Sequence, residues 1–321
     1  MIRAGLRSAC LLALVPATGA GAFTLDWPVA CTLGDTCYIQ QYADRDPGPG
    51  ARDFTCGPLS YDTHSGTDIA LPDLAAMRAG VEVRAAANGT VAAVRDGMPD
   101  IALGGPGAPD LDGRDCGNGV RITHDDGWET QYCHLAQGSV AVRPGDRVTS
   151  GTPLGRIGLS GRTEFPHLHL SLRKDGATVD PFAPGATDTC GPGQDAALWS
   201  DPVPYTPGGL VAAGFADAVP AFDAILAGAV PPPTDRSAPL VLWAHYFGNR
   251  AGDVMALRIT GPAGVVMTET VTLERTQARG FRAVGKRAGA GPWPPGTYTG
   301  EIALARDGAV LGRRTVTLDL P

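Results

Sequence analysis

The chain has 321 residues, 44 of them glycine and 28 proline, with 26 basic against 33 acidic side chains and a formal charge of −7. That length admits two domains, and the glycine and proline content favours short strands and turns over long helices. The acidic balance argues against a nucleic-acid binder, which would carry a basic excess.

Residues 1–22 have the parts of a secretory leader. Arg3 and Arg7 supply a positive start, Ala9 to Ala17 a short apolar run, and Ala20-Gly21-Ala22 a small-residue cleavage site before Phe23. The run is too short to span a bilayer, and no later stretch is long and apolar enough to do so. Too little apolar sequence precedes Cys10 for a lipoprotein signal. The expected product is periplasmic or secreted, without a transmembrane anchor, and monomeric. Six cysteines remain, and an even number in an oxidising compartment suggests disulfides. Of fifteen possible pairings the expected one is Cys31 with Cys37, Cys116 with Cys133 and Cys56 with Cys190. No CxxC pair supports a thiolate zinc site.

Residues 23–55 are polar and turn-rich and read as a lead-in segment held by the first disulfide. His64 and Asp68 follow, four apart, with Gly66-Thr67 between them disfavouring a helix. A looped strand kinked at Gly66 would let both side chains reach one point. His and Asp are ordinary zinc ligands, although this spacing alone fits a turn Asp beside a surface His equally well. Val81 to Val94 alternates around Asn88-Gly89, which predicts a hairpin with a type I′ turn. Residues 95–117 lack any period and read as an inserted surface loop on the rim of a cleft.

Val120 and Ile122 share one strand face, and after a turn at Asp125-Asp126-Gly127 the chain returns through Tyr132-Cys133-His134-Leu135. His124, beside the turn, reads as solvated; His134 is the better functional candidate. Short strands split by Pro-Gly and Gly turns fill residues 140–158. Then comes His167-Leu168-His169-Leu170. In a strand, residues two apart share a face, so both imidazoles stand on one wall while Leu168 and Leu170 enter a core. Two such imidazoles suit a metal, or a metal ligand beside a base.

These motifs resemble, in order, those of the lysostaphin-like peptidases, family M23, the LytM-type cell-wall zinc endopeptidases. The matching residues are His64-x-Gly66-x-Asp68, Tyr132-x-His134-Leu135 and His167-Leu168-His169, together with Gly89-Thr90-Val91, Gly117-Asn118-Gly119-Val120 and Gly155-x-Ile157-Gly158, over roughly residues 56–183. The resemblance implies one Zn2+ per chain held by His64, Asp68 and His169, with His134 and His167 unligated and catalytic. It further implies an antiparallel β peptidase domain over 56–190, and peptidoglycan peptide stems as substrate. Three protein ligands leave a fourth position for water, as in catalytic zinc sites. The sequence departs from the family pattern in the long 95–117 segment, in Cys133 before the histidine, in Glu164-Phe165-Pro166, and at Pro72 to Met77, which reads as a lengthened turn.

Residues 191–207 read as a linker. From 208 to 321, strands at 240–244, 254–260, 265–267, 298–304 and 316–320 suggest a smaller β-sandwich, loosely immunoglobulin-like. His245 and Trp293 could mark a binding face there, or simply pack. Two other functions compete with a wall endopeptidase: a non-catalytic relative that binds wall or activates amidases, and a general secreted protease. The first would be expected to lack ligands or catalytic histidines, whereas all five positions are filled here.

Overall fold

The computed structural model describes residues 22–185, 190 and 197–321. The expected leader, up to residue 21, and residues 191–196 of the expected linker lie outside the described residues. The described chain is mostly antiparallel β. Ten strands occupy the first part: β1 Tyr38–Gln41, β2 Thr67–Ala70, β3 Glu82–Arg84, β4 Gly89–Arg95, β5 Asn118–Thr123, β6 Trp128–Leu135, β7 Arg147–Val148, β8 Pro153–Arg156, β9 His167–Lys174 and β10 Ala177–Val179. Seven follow: β11 Gly209–Ala216, β12 Leu240–Asn249, β13 Val254–Gly261, β14 Gly264–Thr272, β15 Gln277–Lys286, β16 Gly296–Arg306 and β17 Ala309–Leu320. The helices α1 Leu74–Ala79 and α2 Phe222–Ala227 have six residues each. No described helix is long and apolar enough to cross a membrane.

The first sheet runs β1-β2-β9-β6-β5-β4-β7, with β10 also paired to β9. β9 sits near its middle and behaves as its alternation predicts. Leu168, Leu170 and Leu172 are buried in the main core with Ile69, Val120, Ile122 and Tyr132, while His167, His169 and Ser171 take the other face. β5 and β6 form the expected hairpin around residues 125–127. β9 and β10 turn at Asp175 (φ 50°) and Gly176 (φ 83°), the left-handed pair that a two-residue hairpin demands.

The hairpin expected around Asn88-Gly89 does not form. β3 pairs with β8, and β4 pairs with β5 and β7. Neither Asn88 nor Gly89 takes the positive φ of a type I′ turn. Gly89 serves close approach instead: a Cβ there would lie 2.6 Å from the Thr123 carbonyl oxygen. Pro72 to Met77 is not a plain lengthened turn either. Asp73 Oδ1 accepts from Ala76 N–H at 2.8 Å and caps α1.

The segment read as a lead-in supplies the edge strand of this sheet, since β1 pairs with β2. Residues 197–207 also pack inward: Trp199 lies against Phe182, and Tyr205 against Tyr42 and Phe54. The structure bonds Cys31 to Cys37, Cys56 to Cys190 and Cys116 to Cys133.

In the second part, the three-stranded sheet β11-β12-β15 faces the four-stranded sheet β14-β13-β16-β17. Their shared core holds Leu242, Leu257, Ile259, Tyr298, Ile302 and Leu304. The outer face of β12 carries Trp243 under α2, and Phe247, which packs on Tyr38 at 4.6 Å and joins the main core. His245 and Trp293 are packing residues. His245 is buried beside Phe222, and the Trp293 indole donates to the Ala238 carbonyl at 2.9 Å.

Candidate metal centre

Three neighbouring strands and one loop bring the five singled-out residues together. Asp68 on β2 lies directly opposite His169 on β9, and Cys133 on β6 lies opposite His169 from the other side. His134, next in β6, would by alternation take the opposite face, but its left-handed φ of 64° breaks the strand there and its ring lies beside those of His167 and His169. His64 enters from the loop before β2. Gly66 allows that loop to cross β9, because a Cβ there would sit 2.6 Å from the Leu170 carbonyl oxygen and 2.7 Å from His169 Nε2.

Asp68 Oδ1 is the hub. It lies 2.8 Å from His169 Nδ1, 3.1 Å from His64 Nε2 and 3.4 Å from His167 Nε2. His64 Nε2 and His169 Nδ1 are 3.2 Å apart. His64, Asp68 and His169 thus offer three donor atoms close enough together to hold one metal ion. His134 stands behind, its ring centre 4.7 Å from that of His167 and 6.0 Å from that of His169.

The outward nitrogen of each ring fixes its tautomer. His64 Nδ1 donates to the Tyr42 carbonyl at 2.7 Å, His134 Nδ1 to the Ser160 carbonyl at 2.8 Å, and His167 Nδ1 to the Phe165 carbonyl at 2.9 Å. A carbonyl only accepts, so these three nitrogens carry a hydrogen, and in the neutral ring each Nε2 keeps a bare lone pair. His169 Nε2 meets the Ser171 hydroxyl at 3.0 Å, leaving Nδ1 toward the centre. Lone pairs and a carboxylate oxygen converging with no hydrogen between them repel one another unless a cation joins them. The donor set therefore fits a divalent metal ion of the zinc type.

The electrostatics agree with that requirement. Burial alone would raise the Asp68 carboxyl, but the His64 and His167 imidazoles hold it well below the usual carboxylate range. Burial opposes charging His64, yet Asp68 beside it raises its pKa. For His134, burial and then the neighbouring His167 and His169 push the imidazole well down, which keeps it neutral. His169 is also lowered, by burial, against the pull of Asp68.

A cleft of about 350 Å³ opens over the cluster, lined by Tyr61, His64, the Cys116–Cys133 bridge, His134, His169 and Arg173. The Tyr61 ring packs on His64 at 4.4 Å. His134 itself is held at φ 64°, a left-handed conformation rare outside glycine. Its N–H donates to the Cys116 carbonyl and its carbonyl accepts from Gly158 N–H, both at 2.9 Å. His124 plays no part: its nitrogens meet the Asn88 carbonyl and the Thr130 hydroxyl. The orienting groups Tyr42, Ser160, Phe165 and Ser171 escape sequence reading. Three of them act through backbone carbonyls, which every residue has. Ser171 alone left a trace, as the third member of the His167-x-His169-x-Ser171 face.

Residues 62–181 match the sequence model described as peptidase family M23. The chain is similar to the cell division protein DipM of Caulobacter vibrioides, with 33% identity over 105 residues, 33% of this chain and 16% of that protein. It is similar to the DD-carboxypeptidase/endopeptidase Mpg of Neisseria meningitidis serogroup B, with 34% identity over 124 residues, 39% of this chain and 23% of that protein. It is also similar to the peptidoglycan DD-endopeptidase ShyA of Vibrio cholerae serotype O1, with 32% identity over 117 residues, 36% of this chain and 22% of that protein. The matched segment thus spans less than a quarter of each of these relatives.

Proposed function

We propose, from the premise that residues 62–181 are a peptidase family M23 domain, that this chain is an exported zinc endopeptidase cutting peptide cross-links of bacterial peptidoglycan. The observation that carries the reading is the convergence of His64 Nε2, His169 Nδ1 and Asp68 Oδ1, with the rings of His134 and His167 beside them. His64, Asp68 and His169 would hold the ion. Zinc bound there would supply Lewis acidity for the scissile carbonyl and for a water, whose pKa it would lower toward about 7.

The two remaining histidines handle protons. His134 presents a bare Nε2 to the cleft, and the Ser160 carbonyl on its Nδ1–H stabilises the imidazolium it becomes on accepting a proton. His167 presents Nε2 beside Asp68, 3.4 Å from Oδ1, with Nδ1–H held by the Phe165 carbonyl. One ring takes the proton of the attacking water and passes it to the leaving amine. The other, once protonated, donates to the developing oxyanion, an interaction worth about 3 kcal/mol. The three disulfides support export to an oxidising compartment. The β core around β9 supports a peptidase domain over 56–190, and the two facing sheets after residue 208 support an immunoglobulin-like sandwich.

Digestion of purified sacculi with mass analysis of the products, with and without chelator, tests this reading. Cleavage should appear only without chelator. His134→Ala and His167→Ala should each keep zinc and lose cleavage by about 10²–10⁴-fold. Retained cleavage in both variants would defeat the mechanism.

A further inference from the structure

In the register of β12 with β15, Trp243 lies opposite Ala283, His245 opposite Phe281 and Phe247 opposite Arg279. Residues directly opposite each other share a face. Arg279 therefore stands on the same side as Phe247, the side that packs on Tyr38 of β1 and joins the main core. β1 pairs with β2, and in β2 Ala70 lies opposite His167. The C-terminal unit thereby brings Arg279 to the chain just before β9. Its guanidinium lies 4.3 Å from the centre of the Phe165 ring, within reach of a cation–π contact. The same ring stacks on the His167 imidazole at 4.4 Å and 22°. Other arginines of the protein are matched to acids, Arg306 to Asp253 at 2.8 Å and Arg173 to Glu129 at 3.4 Å. Arg279 presents its guanidinium to an aromatic ring instead. Burial disfavours its charge, and Tyr38 and Glu164 favour it.

Phe165 grips His167 in two ways. Its carbonyl accepts from His167 Nδ1–H at 2.9 Å, and its ring covers the imidazole. The carbonyl is well fixed. Pro166 confines the Phe165 backbone to extended conformations, and the Thr163 hydroxyl donates to that carbonyl at 2.8 Å. The ring has no such restraint. It is half-buried and can leave His167 by turning about its side-chain bonds. Arg279 opposes that turn from the C-terminal unit. A partly desolvated cation–π contact biases the ring toward its stacked position by about tenfold.

We propose that Arg279 is a positioning residue for the peptidase reaction: it holds the Phe165 ring on His167 and so couples the C-terminal unit to the aim of His167 Nε2. The proposal rests on the peptidase reading above. Neither Arg279 nor Phe165 lines the cleft over the cluster, so the effect falls on the histidine and not on substrate binding. It also gives a task to Phe165, where the sequence departs from the family pattern. A smaller residue there would leave Arg279 nothing to hold and His167 no ring to rest on.

The test uses the full chain, as wild type, Arg279→Gln, Arg279→Lys, Phe165→Leu and Arg279→Gln/Phe165→Leu, with melting temperature and zinc content checked first. On soluble cross-linked muropeptides, Arg279→Gln should lower kcat by about tenfold with KM little changed. Arg279→Lys keeps a cation over the ring and should recover most of that loss. Phe165→Leu should lower kcat at least as far, and adding Arg279→Gln to it should lower kcat no further, because each residue acts through the other. In protein labelled at histidine Cε1, the His167 resonance should move in Arg279→Gln as the ring current of Phe165 is displaced, while that of His124 stays. Full kcat in Arg279→Gln, or independent losses in the double variant, overturns the proposal by reducing Arg279 to packing. A raised KM with kcat unchanged overturns it by assigning the arginine to substrate. An unmoved His167 resonance overturns it whatever the kinetics. If Arg279→Gln does not fold, Phe165→Leu decides: the same fall in kcat with KM unchanged upholds the proposal, and full kcat overturns it. If wild type cleaves nothing, the peptidase reading fails, and the resonances decide separately whether Arg279 positions His167.

Discussion

His64 Nε2 points at Asp68 Oδ1 from 3.1 Å with no hydrogen between them, because the one N–H of the neutral ring is spent on the Tyr42 carbonyl. Such a contact is repulsive unless a positive charge is supplied. Either His64 takes a proton, which burial opposes and the Asp68 carboxylate favours, or a cation sits between the two atoms. A metal ion bound to the native state should therefore stabilise the fold. A ligand at a thousandfold excess over its Kd adds about 4 kcal/mol, on the order of 10 °C in Tm for a domain of this size. Calorimetry should show the protein melting lower after chelation and recovering with zinc, while His64→Gln shows no such difference. Equal melting of chelated and zinc-treated wild type would sink the metal assignment.

Ser171 tests the orienting layer around that ion. Its hydroxyl meets His169 Nε2 at 3.0 Å and aims Nδ1 at the centre. Groups in this position typically contribute about 10–100-fold in metal affinity. Ser171→Ala should lower zinc affinity by that factor in competition with a chromophoric chelator, with Tm of the zinc-saturated protein little changed. An affinity within twofold of wild type would show that His169 is oriented by the sheet alone.

What the sequence reveals here, and what it hides, follows the range of the forces involved. The period of β9 is local, so the two faces of His167 to Leu172 are readable from a handful of residues. The five clustered side chains are readable because their types are rare and chemically specific. The hairpin at Asn88-Gly89 fails because a strong local turn signal is overruled by the distant partners of β4, namely β5 and β7. The role of Tyr42 is invisible because it is played by a backbone carbonyl in a segment that looks like a mere lead-in. β11 is hidden by its glycine- and alanine-rich sequence, which carries little strand propensity. Asp73 is a different case, since a helix cap was there to be read.

The Cys116–Cys133 bridge stands immediately before His134, whose φ of 64° costs about 1 kcal/mol or more in a residue with a Cβ. The Cys116 carbonyl also receives the His134 N–H, so the bridge clamps both ends of that contact. Cys116→Ser/Cys133→Ser should destabilise the domain by about 3 kcal/mol, as expected for a loop of this length. The variant should also lower kcat by about tenfold at temperatures where it remains folded, with zinc content unchanged, because a displaced His134 ring loses reach. A variant with full kcat would show that the sheet holds His134 unaided.

His245 makes the fold acid-sensitive at a point outside the His64, Asp68 and His169 cluster. It is 1% exposed, and neither ring nitrogen has a partner. Burial first, and the Arg279 charge second, push its pKa down to about 4. In the unfolded chain the same ring titrates near 6.5. Above that pH neither state holds the proton, and the residue contributes no pH dependence. As pH falls from 6.5 toward 4, the unfolded chain takes the proton and the folded one resists, so stability is lost. The loss reaches about 3 kcal/mol by pH 4. His245→Leu removes the titrating group and two orphaned polar atoms at similar volume. Its stability should be close to or above that of wild type at pH 7, and its advantage should widen steadily as the pH is lowered to 4.5. Denaturant titrations of both proteins across this range measure the gap, and a gap that does not change with pH would show that His245 finds a proton-accepting partner in the folded protein.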